Sequence, residues 1–329
     1  MYRNIMVPLD GSPFGEQALP VAIALARRSA ARLHVVHVRT STARPVRGRA
    51  GIRCDPERDY LNAMADRASE ELGESVSFAL LADTIAGISY SNPPRRAVAD
   101  VLETYVREHG IDLVVMTTHG RGGISRAWLG SVADSFIRQA TAPVLLIRPE
   151  KDPAPTAAST AGRIRHILIP LDGSEAAEAV IGPAVQLGSL TGARYSLFRV
   201  VSPVSAVADY APPSAVFDDA TLSDRRRVAV EYVSRLAERM SDDGFDVAGA
   251  VMIAPSAAAA ITEYAEANAA DAIAIGTRGL GGPRRMLLGS VADKVVRSTD
   301  RPVLVCNTAL VGGDEARGEA LEATAEAVV

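Results

Sequence analysis

The sequence repeats itself once, and this duplication constrains the fold more than any other feature. Residues 5–12 (IMVPLDGS) return 162 positions later as residues 167–174 (ILIPLDGS). A second motif, GSVAD at residues 130–134, returns 159 positions later at residues 289–293. A period of about 160 residues is too long for a solenoid repeat and has the size of a complete domain. The sequence therefore predicts two copies of one domain.

The segments that do not repeat set the predicted domain boundaries. The first domain is predicted at residues 1–150 and the second at residues 164–308. Residues 151–163 are rich in Pro, Ala, Ser and Thr and are predicted to be a linker. The tail, residues 309–329, is rich in Ala, Gly and Glu, and both a loose helix and disorder remain open for it.

Each copy alternates short apolar runs with longer helical patterns. In copy one, strands are predicted at 4–9, 33–38, 76–81, 113–116 and 143–147, and helices at 15–30, 56–72, 96–108 and 132–140. In copy two, strands are predicted at 166–171, 195–200, 246–253, 272–275 and 303–306. Nearly continuous apolar strands separated by helices indicate a parallel sheet that is covered on both faces. The predicted fold class is therefore α/β, with two tandem doubly wound domains whose ligand crevices lie at the carboxyl ends of the strands.

Composition excludes several classes of protein. With 48% hydrophobic and 22% charged residues, the 329-residue chain is neither disordered nor collagen-like. A net charge of -4 offers no basic field for nucleic acid. The two cysteines, Cys54 and Cys306, are too few for a disulfide framework and fit a reducing compartment. No uninterrupted apolar run approaches the length of a membrane span. We therefore expect a cytoplasmic protein without nucleic-acid or membrane partners.

A glycine-rich connection after the fourth predicted strand is the strongest chemical signal. Copy two reads GTRG at 276–279, then nine residues, then Gly289 and Ser290 at the start of a helix. Copy one reads TTHG at 117–120 with the same spacing. Glycines let backbone amides approach a ligand, and a serine is expected to cap the helix, whose amino end favours an anion. This layout predicts a phosphate-binding loop, while a simple strand-to-helix turn is the alternative.

The two commonest nucleotide-binding loops are absent from the sequence. A P-loop needs a lysine after its glycine, and neither Lys151 nor Lys294 follows one. No G-x-G-x-x-G motif follows the first predicted strand of either copy. The predicted loop is therefore of a different kind.

A carboxylate follows the first predicted strand of each copy, as Asp10 and Asp172. At the edge of a doubly wound sheet, such a group can accept hydrogen bonds from an amino group or a ribose hydroxyl. An aspartate at this place can equally cap the helix that follows. The sequence leaves both roles open.

The aspartate after the first strand, combined with G-x2-G-x9-G-[S/T] before the last helix, resembles the universal stress protein family. The resemblance covers both copies and is to tandem members of the ATP-binding type. It implies a five-stranded parallel sheet in each domain, ATP as ligand with Mg²⁺ bound through the phosphates, and a homodimer. The adenine side would be formed by Pro8, Asp10, Val38 and Met116 in copy one and by Pro170, Asp172, Val200 and Ile275 in copy two. Ribose and phosphates would meet Gly120, Gly130, Ser131 and Val132 in copy one and Gly276, Gly279, Gly289, Ser290 and Val291 in copy two.

Copy one departs from this pattern because Thr117 stands where copy two has Gly276. If the position requires φ > 0, a β-branched residue would cost about 1–2 kcal/mol, and copy one would bind ATP more weakly. If it does not, both copies would bind alike.

The sequence favours a regulatory nucleotide-binding protein that acts in a stress response through conformation or partner choice. Slow ATP hydrolysis is the alternative. No catalytic residue is predicted, since His119 of the first loop is replaced by Arg278 in the second. No metal site is predicted either, because the five histidines lack ligand spacing.

Overall fold

A computed structural model describes residues 1–39, 46–47, 53–73, 76–82, 95–118, 129–150, 164–203, 219–277 and 288–307. The chain divides into two compact units, Met1–Arg163 (unit 1) and Ile164–Val329 (unit 2). The predicted linker at 151–163 and the predicted tail at 309–329 lie outside the described residues.

Unit 1 contains a five-stranded sheet in which all neighbouring strands are parallel. The strands of the unit are β1 (Asn4–Leu9), β2 (Arg32–Arg39), β3 (Val46–Arg47), β4 (Arg53–Cys54), β5 (Ser77–Ala82), β6 (Leu113–Thr117) and β7 (Val144–Ile147). The sheet has the order β7-β6-β1-β2-β5. The short strands β3 and β4 pair with each other antiparallel, which the sequence did not predict.

The helices of unit 1 connect these strands. They are α1 (Ala18–Ser29), α2 (Pro56–Leu72), α3 (Arg95–Glu108) and α4 (Ser131–Ile137). The start of α2 follows from local chemistry, because Asp55 accepts a hydrogen bond from the Arg58 amide at 3.3 Å. The helix predicted at 15–30 is instead a 3₁₀ turn over Gly15–Gln17 followed by α1.

Unit 2 repeats this architecture. Its strands are β8 (His166–Pro170), β9 (Arg194–Val201), β10 (Val247–Ile253), β11 (Ala272–Gly276) and β12 (Val303–Cys306), in the parallel order β10-β9-β8-β11-β12. Its helices are α5 (Glu175–Glu178), α6 (Ile181–Ser189), α7 (Asp219–Asp242), α8 (Ala257–Ala267) and α9 (Ser290–Ser298). The predicted α/β class, with a five-stranded parallel sheet in each of two tandem domains, is confirmed.

One edge strand of each sheet is more exposed than the strands beyond it. Every residue of β6 and β8 is buried, whereas Phe78 on the edge strand β5 is 51% exposed and Ile253 on the edge strand β10 is 40% exposed. The strand order reverses between β1 and β6 in unit 1 and between β8 and β11 in unit 2. In open α/β sheets this reversal opens a crevice at the carboxyl ends of the strands.

Candidate functional site

The strand order brings the predicted motifs of each unit to one edge of the sheet. In unit 1, β1 and β6 are parallel neighbours with Ile5 opposite Leu113. Asp10 after β1 and Thr118 after β6 therefore lie at the same carboxyl edge. In unit 2, β8 and β11 bring Asp172 and Thr277 together in the same way.

Each aspartate is fixed in a tight turn by the serine two positions later. Asp10 Oδ1 accepts hydrogen bonds from the Ser12 amide at 3.0 Å and from Ser12 Oγ at 2.6 Å. Asp172 Oδ1 accepts the same two bonds from Ser174, again at 3.0 and 2.6 Å. The two carboxylates are therefore held in one orientation by their own loops.

The serines also begin the helical segments that follow. Ser12 Oγ accepts a hydrogen bond from the Gly15 amide at 3.0 Å, and Ser174 Oγ accepts one from the Ala177 amide at 3.1 Å. In unit 2 Ser174 is the N-cap of α5, so the interpretation that Asp172 caps this helix is wrong. In unit 1 the 3₁₀ turn has Phe14 at its N-cap and no capping side chain, so Asp10 does not cap it either. Each aspartate instead orients its serine, beside the crevice.

The second motif forms a glycine-capped helix at the same edge in unit 2. Gly289 is the N-cap of α9, and its amide donates to the Thr277 carbonyl at 2.6 Å. A Cβ at position 289 would lie 3.2 Å from that carbonyl oxygen, so glycine permits this close approach. The Thr277 amide in turn donates to the Cys306 carbonyl at 2.9 Å. The start of α9 is thereby tied to the ends of two strands.

Unit 1 builds its motif with the same bonds. The Gly130 amide donates to the Thr118 carbonyl at 2.6 Å, and the Thr118 amide donates to the Ile147 carbonyl at 2.9 Å. The prediction that serine caps the helix is wrong in both units. Ser131 and Ser290 are the first helical residues, and the N-cap is a glycine that has no side chain for capping. The first-turn amides therefore receive no bond from a capping side chain.

The last residue of the GSVAD motif forms an ion pair within its own helix. Arg138 Nη2 lies 2.8 Å from Asp134 Oδ1 in unit 1, and Arg297 Nη2 lies 2.9 Å from Asp293 Oδ1 in unit 2. The arginine thus offsets an acidic charge in the first turn, where an anion is predicted. The sequence signal for this ion pair was the arginine four residues after each aspartate.

The remaining predicted residues occupy the ends of strands or the first turns of helices. They are Pro8, Val38, Met116 and Val132 in unit 1 and Pro170, Val200, Ile275 and Val291 in unit 2. Gly120 and Gly279 lie outside the described residues, as does His119.

Thr117 and Gly276 do not differ in the way that the φ argument requires. Gly276 lies in β11 opposite Cys306 and is not among the residues with positive φ. Thr117 occupies the same place at the end of β6, opposite Ile147. The proposed strain at Thr117 is therefore wrong, because extended backbone accepts a β-branched residue.

Sequence reasoning missed a pair of polar residues that directly precede Val38 and Val200. In unit 1 the residue is His37, whose Nδ1 lies 2.7 Å from the Leu9 carbonyl, next to Asp10. In unit 2 it is Arg199, whose guanidinium lies 4.9 Å from the centre of the Tyr232 ring. A polar residue near the end of an otherwise apolar strand was the available signal.

Histidines that are far apart in sequence form a polar cluster at the amino ends of the strands in unit 1. His34 Nδ1 lies 3.0 Å from Tyr105 Oη, and His109 stacks on the Tyr105 ring with centroids 3.7 Å apart. Burial, followed by the nearby His109 and Arg32, lowers the pKa of His34 to about 4. The residues of the structure described above contain no group of three side chains suited to a metal ion.

Comparison with known proteins decides the family. The family model described as "Universal stress protein family" matches residues 1–148 and again residues 163–307. The chain belongs to the universal stress protein family. Its tandem arrangement follows from the two matches.

Relatives agree with this assignment, and a solved structure agrees with the fold. Universal stress protein Rv2005c of Mycobacterium tuberculosis is 30% identical over 198 residues, which is 59% of this chain and 61% of the relative. The match thus spans under two thirds of that relative. Universal stress protein MJ0531 of Methanocaldococcus jannaschii is 31% identical over 46% of this chain and 85% of its own length. A universal stress protein structure from Archaeoglobus fulgidus has a TM-score of 0.59 at 18% identity, covering 93% of this chain and 98% of that one. This last likeness concerns the fold.

Among the described helices of this universal stress protein, none is long and apolar enough to cross a membrane.

Proposed function

We propose that this universal stress protein binds ATP at the carboxyl edge of each sheet and acts as a nucleotide-dependent regulator. The observation that carries the proposal is the glycine-capped start of α9, which stands at the same sheet edge as the fixed carboxylate of Asp172. The helix start suits an anion, and the carboxylate suits a group with hydrogen-bond donors. An adenine nucleotide carries both kinds of group.

The phosphates are proposed to bind at the amino end of α9. Gly289 contributes no side chain there, so the amides of Ser290 and Val291 remain available to phosphate oxygens. The nine-residue helix adds the partial positive charge of its dipole. The ion pair between Arg297 and Asp293 offsets the acidic charge of the first turn, which would otherwise repel the ligand.

The adenosine is proposed to bind at the other end of the site. Asp172 would accept hydrogen bonds from adenine or ribose, with its carboxylate already oriented by Ser174. The strand ends at Val200 and Ile275 would line this part of the site. Mg²⁺ would arrive with ATP and be held through the phosphates, whose charge it would offset.

The same proposal applies to unit 1, with Asp10 and the start of α4 in the corresponding places. A stress-response role, a cytoplasmic location and association of two chains are further parts of the proposal, and they rest on the family resemblance and on the low cysteine count. Light scattering of the purified full chain tests the association.

Ser290→Phe tests the phosphate site in unit 2. A phenylalanine at the first helical residue would block the approach of phosphates, so calorimetry should detect loss of the unit 2 site. Ser298→Phe is the matched control, because Ser298 is exposed at the opposite end of the same helix. Unchanged ATP binding by folded Ser290→Phe protein would refute the site. Phosphate release, measured in parallel, distinguishes slow hydrolysis from binding alone.

A further inference from the structure

His37 has a buried ring nitrogen to which nothing above assigns a role. The residue is 2% exposed and stands on β2 directly before Val38, with the apolar Leu9 and Leu80 as its partners on the neighbouring strands. Its Nδ1 is hydrogen-bonded, but among the described residues its Nε2 has no hydrogen-bond partner. Since buried polar atoms are nearly always hydrogen-bonded, this Nε2 calls for an explanation.

The bond at Nδ1 decides what Nε2 can do. A carbonyl oxygen only accepts hydrogen bonds, so Nδ1 donates its proton to the Leu9 carbonyl, 2.7 Å away. In a neutral imidazole, Nε2 is then the nitrogen that carries no proton. It can therefore act only as an acceptor until the ring takes up a second proton.

The atom that faces Nε2 is a carboxylate oxygen. Glu57 Oε1, on α2, lies 3.9 Å from it. The other oxygen of Glu57 accepts a hydrogen bond from Arg39 Nε at 2.8 Å, and Arg39 also pairs with Asp55. The Tyr60 ring, three residues further along α2, meets the imidazole edge-on with centroids 6.1 Å apart. A neutral imidazole places two acceptors opposite each other, whereas a proton on Nε2 would let the imidazole donate to Glu57.

We propose that His37 is a positioning residue for the adenosine end of unit 1, and that a proton held between its Nε2 and Glu57 makes binding at this unit respond to pH. The inference rests on the proposed function of the site. The carbonyl that His37 holds belongs to Leu9, directly before Asp10, which is the carboxylate proposed to bind adenosine. With the second proton in place the ring is held at both nitrogens, and its charge strengthens the bond to Leu9. Adenosine should therefore bind unit 1 more tightly when the ring is charged.

Unit 2 has a permanent charge at the same position. Arg199 stands in place of His37, and an arginine keeps its proton at physiological pH. Its guanidinium lies over the Tyr232 ring, with Cζ 4.9 Å from the ring centre. It also packs against Gly173, where a Cβ would lie 2.8 Å from Nη1. Unit 2 is therefore an internal reference that should not respond to pH.

The test is adenosine binding at pH 6 and at pH 8, because histidine ordinarily changes charge in this range and adenosine does not. Calorimetry on the full chain carrying Asp172→Ala reports unit 1, and on the chain carrying Asp10→Ala it reports unit 2. The Kd of unit 1 should be about fivefold lower at pH 6 than at pH 8. The Kd of unit 2 should agree within about twofold at the two pH values.

His37→Gln, added to the Asp172→Ala chain, should bring the Kd values at the two pH values within about twofold of each other. If this variant does not fold, Glu57→Gln replaces it. It keeps an oxygen for Arg39 and should shrink the pH response, because an amide does not favour the charged ring. His34→Gln is the matched control near the amino end of the same strand. Burial lowers the pKa of His34 to about 4, so this control should keep the full response.

Three results would overturn the role of His37. They are equal Kd values for unit 1 at the two pH values, a response that persists in His37→Gln, and no adenosine binding by an Asp172→Ala chain that binds ATP. Failure of the Asp172→Ala chain to bind ATP would instead overturn the proposed function itself.

Discussion

The two units share the backbone of their proposed sites but differ in a side chain beside them. The turns at Asp10 and Asp172 have the same two hydrogen bonds at the same distances. One residue near the carboxyl end of the second strand differs: it is His37 in unit 1 and Arg199 in unit 2. The loops of the proposed site therefore have the same geometry in both units, whereas a neighbouring side chain differs. We predict from this that both units bind the same class of ligand and that any difference between them arises beside the loops.

The largest expected effect tests what the units share. Asp172→Ala removes the acceptor of both Ser174 bonds and the proposed adenosine contact, so the ATP Kd of unit 2 should rise roughly thirtyfold, about 2 kcal/mol. Asp10→Ala should do the same in unit 1. Calorimetry on the full chain measures both. Asn at either position keeps an oxygen acceptor for the serine, so the Kd for ATP should rise less than with Ala. A large rise in only one unit would contradict the shared role of the two aspartates.

The second prediction concerns the histidine cluster, which the units arrange differently. His34 is 3% exposed, whereas unit 2 has Ser196 at the corresponding place, bonded to His166 on the neighbouring strand. The folded-state pKa of His34 is about 4, below its ordinary value of 6.5, so the unfolded chain takes up the proton first. Stability is full above pH 6.5 and should fall by about 2–3 kcal/mol as the pH drops towards 4.

Urea unfolding followed by the fluorescence of Trp128, the one tryptophan, measures this loss for unit 1. His34→Gln keeps a hydrogen-bonding side chain without a proton to gain, and it should flatten the pH dependence. An equally steep fall in His34→Gln would show that other groups cause it.

The third prediction isolates the contact of Gly173 with Arg199. Gly173 and Gly244 have nearly the same φ, +86° and +87°, but a Cβ at position 244 meets nothing within 4 Å. Alanine at either position should therefore cost about 1 kcal/mol of stability through backbone strain. Only Gly173→Ala also displaces the guanidinium from its cation–π contact, and it should therefore lose about 0.5–1 kcal/mol more stability than Gly244→Ala in urea unfolding. Equal losses of stability in the two alanine variants would show that the contact with Arg199 does not contribute.

The smallest expected effect is at the position where the two loops differ most visibly in sequence. Thr117→Gly should leave ATP binding to unit 1 within about twofold, because Gly276 of unit 2 does not use a positive φ. Calorimetric titration of the variant beside the parent chain measures it. A tenfold gain in the affinity of unit 1 for ATP would show instead that Thr117 weakens ATP binding in the parent chain.

The sequence predicted the secondary-structure elements well and the side-chain contacts less well. The repeated PLDGS and GSVAD motifs and the apolar runs predicted the strands, because period and composition report directly on burial. The capping arrangement was not predictable, since both the aspartate and the serine of PLDGS are good caps and only the three-dimensional turn distinguishes them. Arg199 was missed because its partners, Gly173 and Tyr232, come from separate segments. The short β3–β4 pair was also missed, because no repeated sequence pattern marks it.

The number of ATP sites per chain tests the central claim most directly. Calorimetric titration of ATP into the full chain should give two sites, and Ser131→Phe and Ser290→Phe should each remove one. The double variant, folded by circular dichroism, should bind none. A folded parent chain that binds no ATP, or a double variant that binds it as the parent does, would contradict the proposal that the glycine-capped helix starts hold a nucleotide.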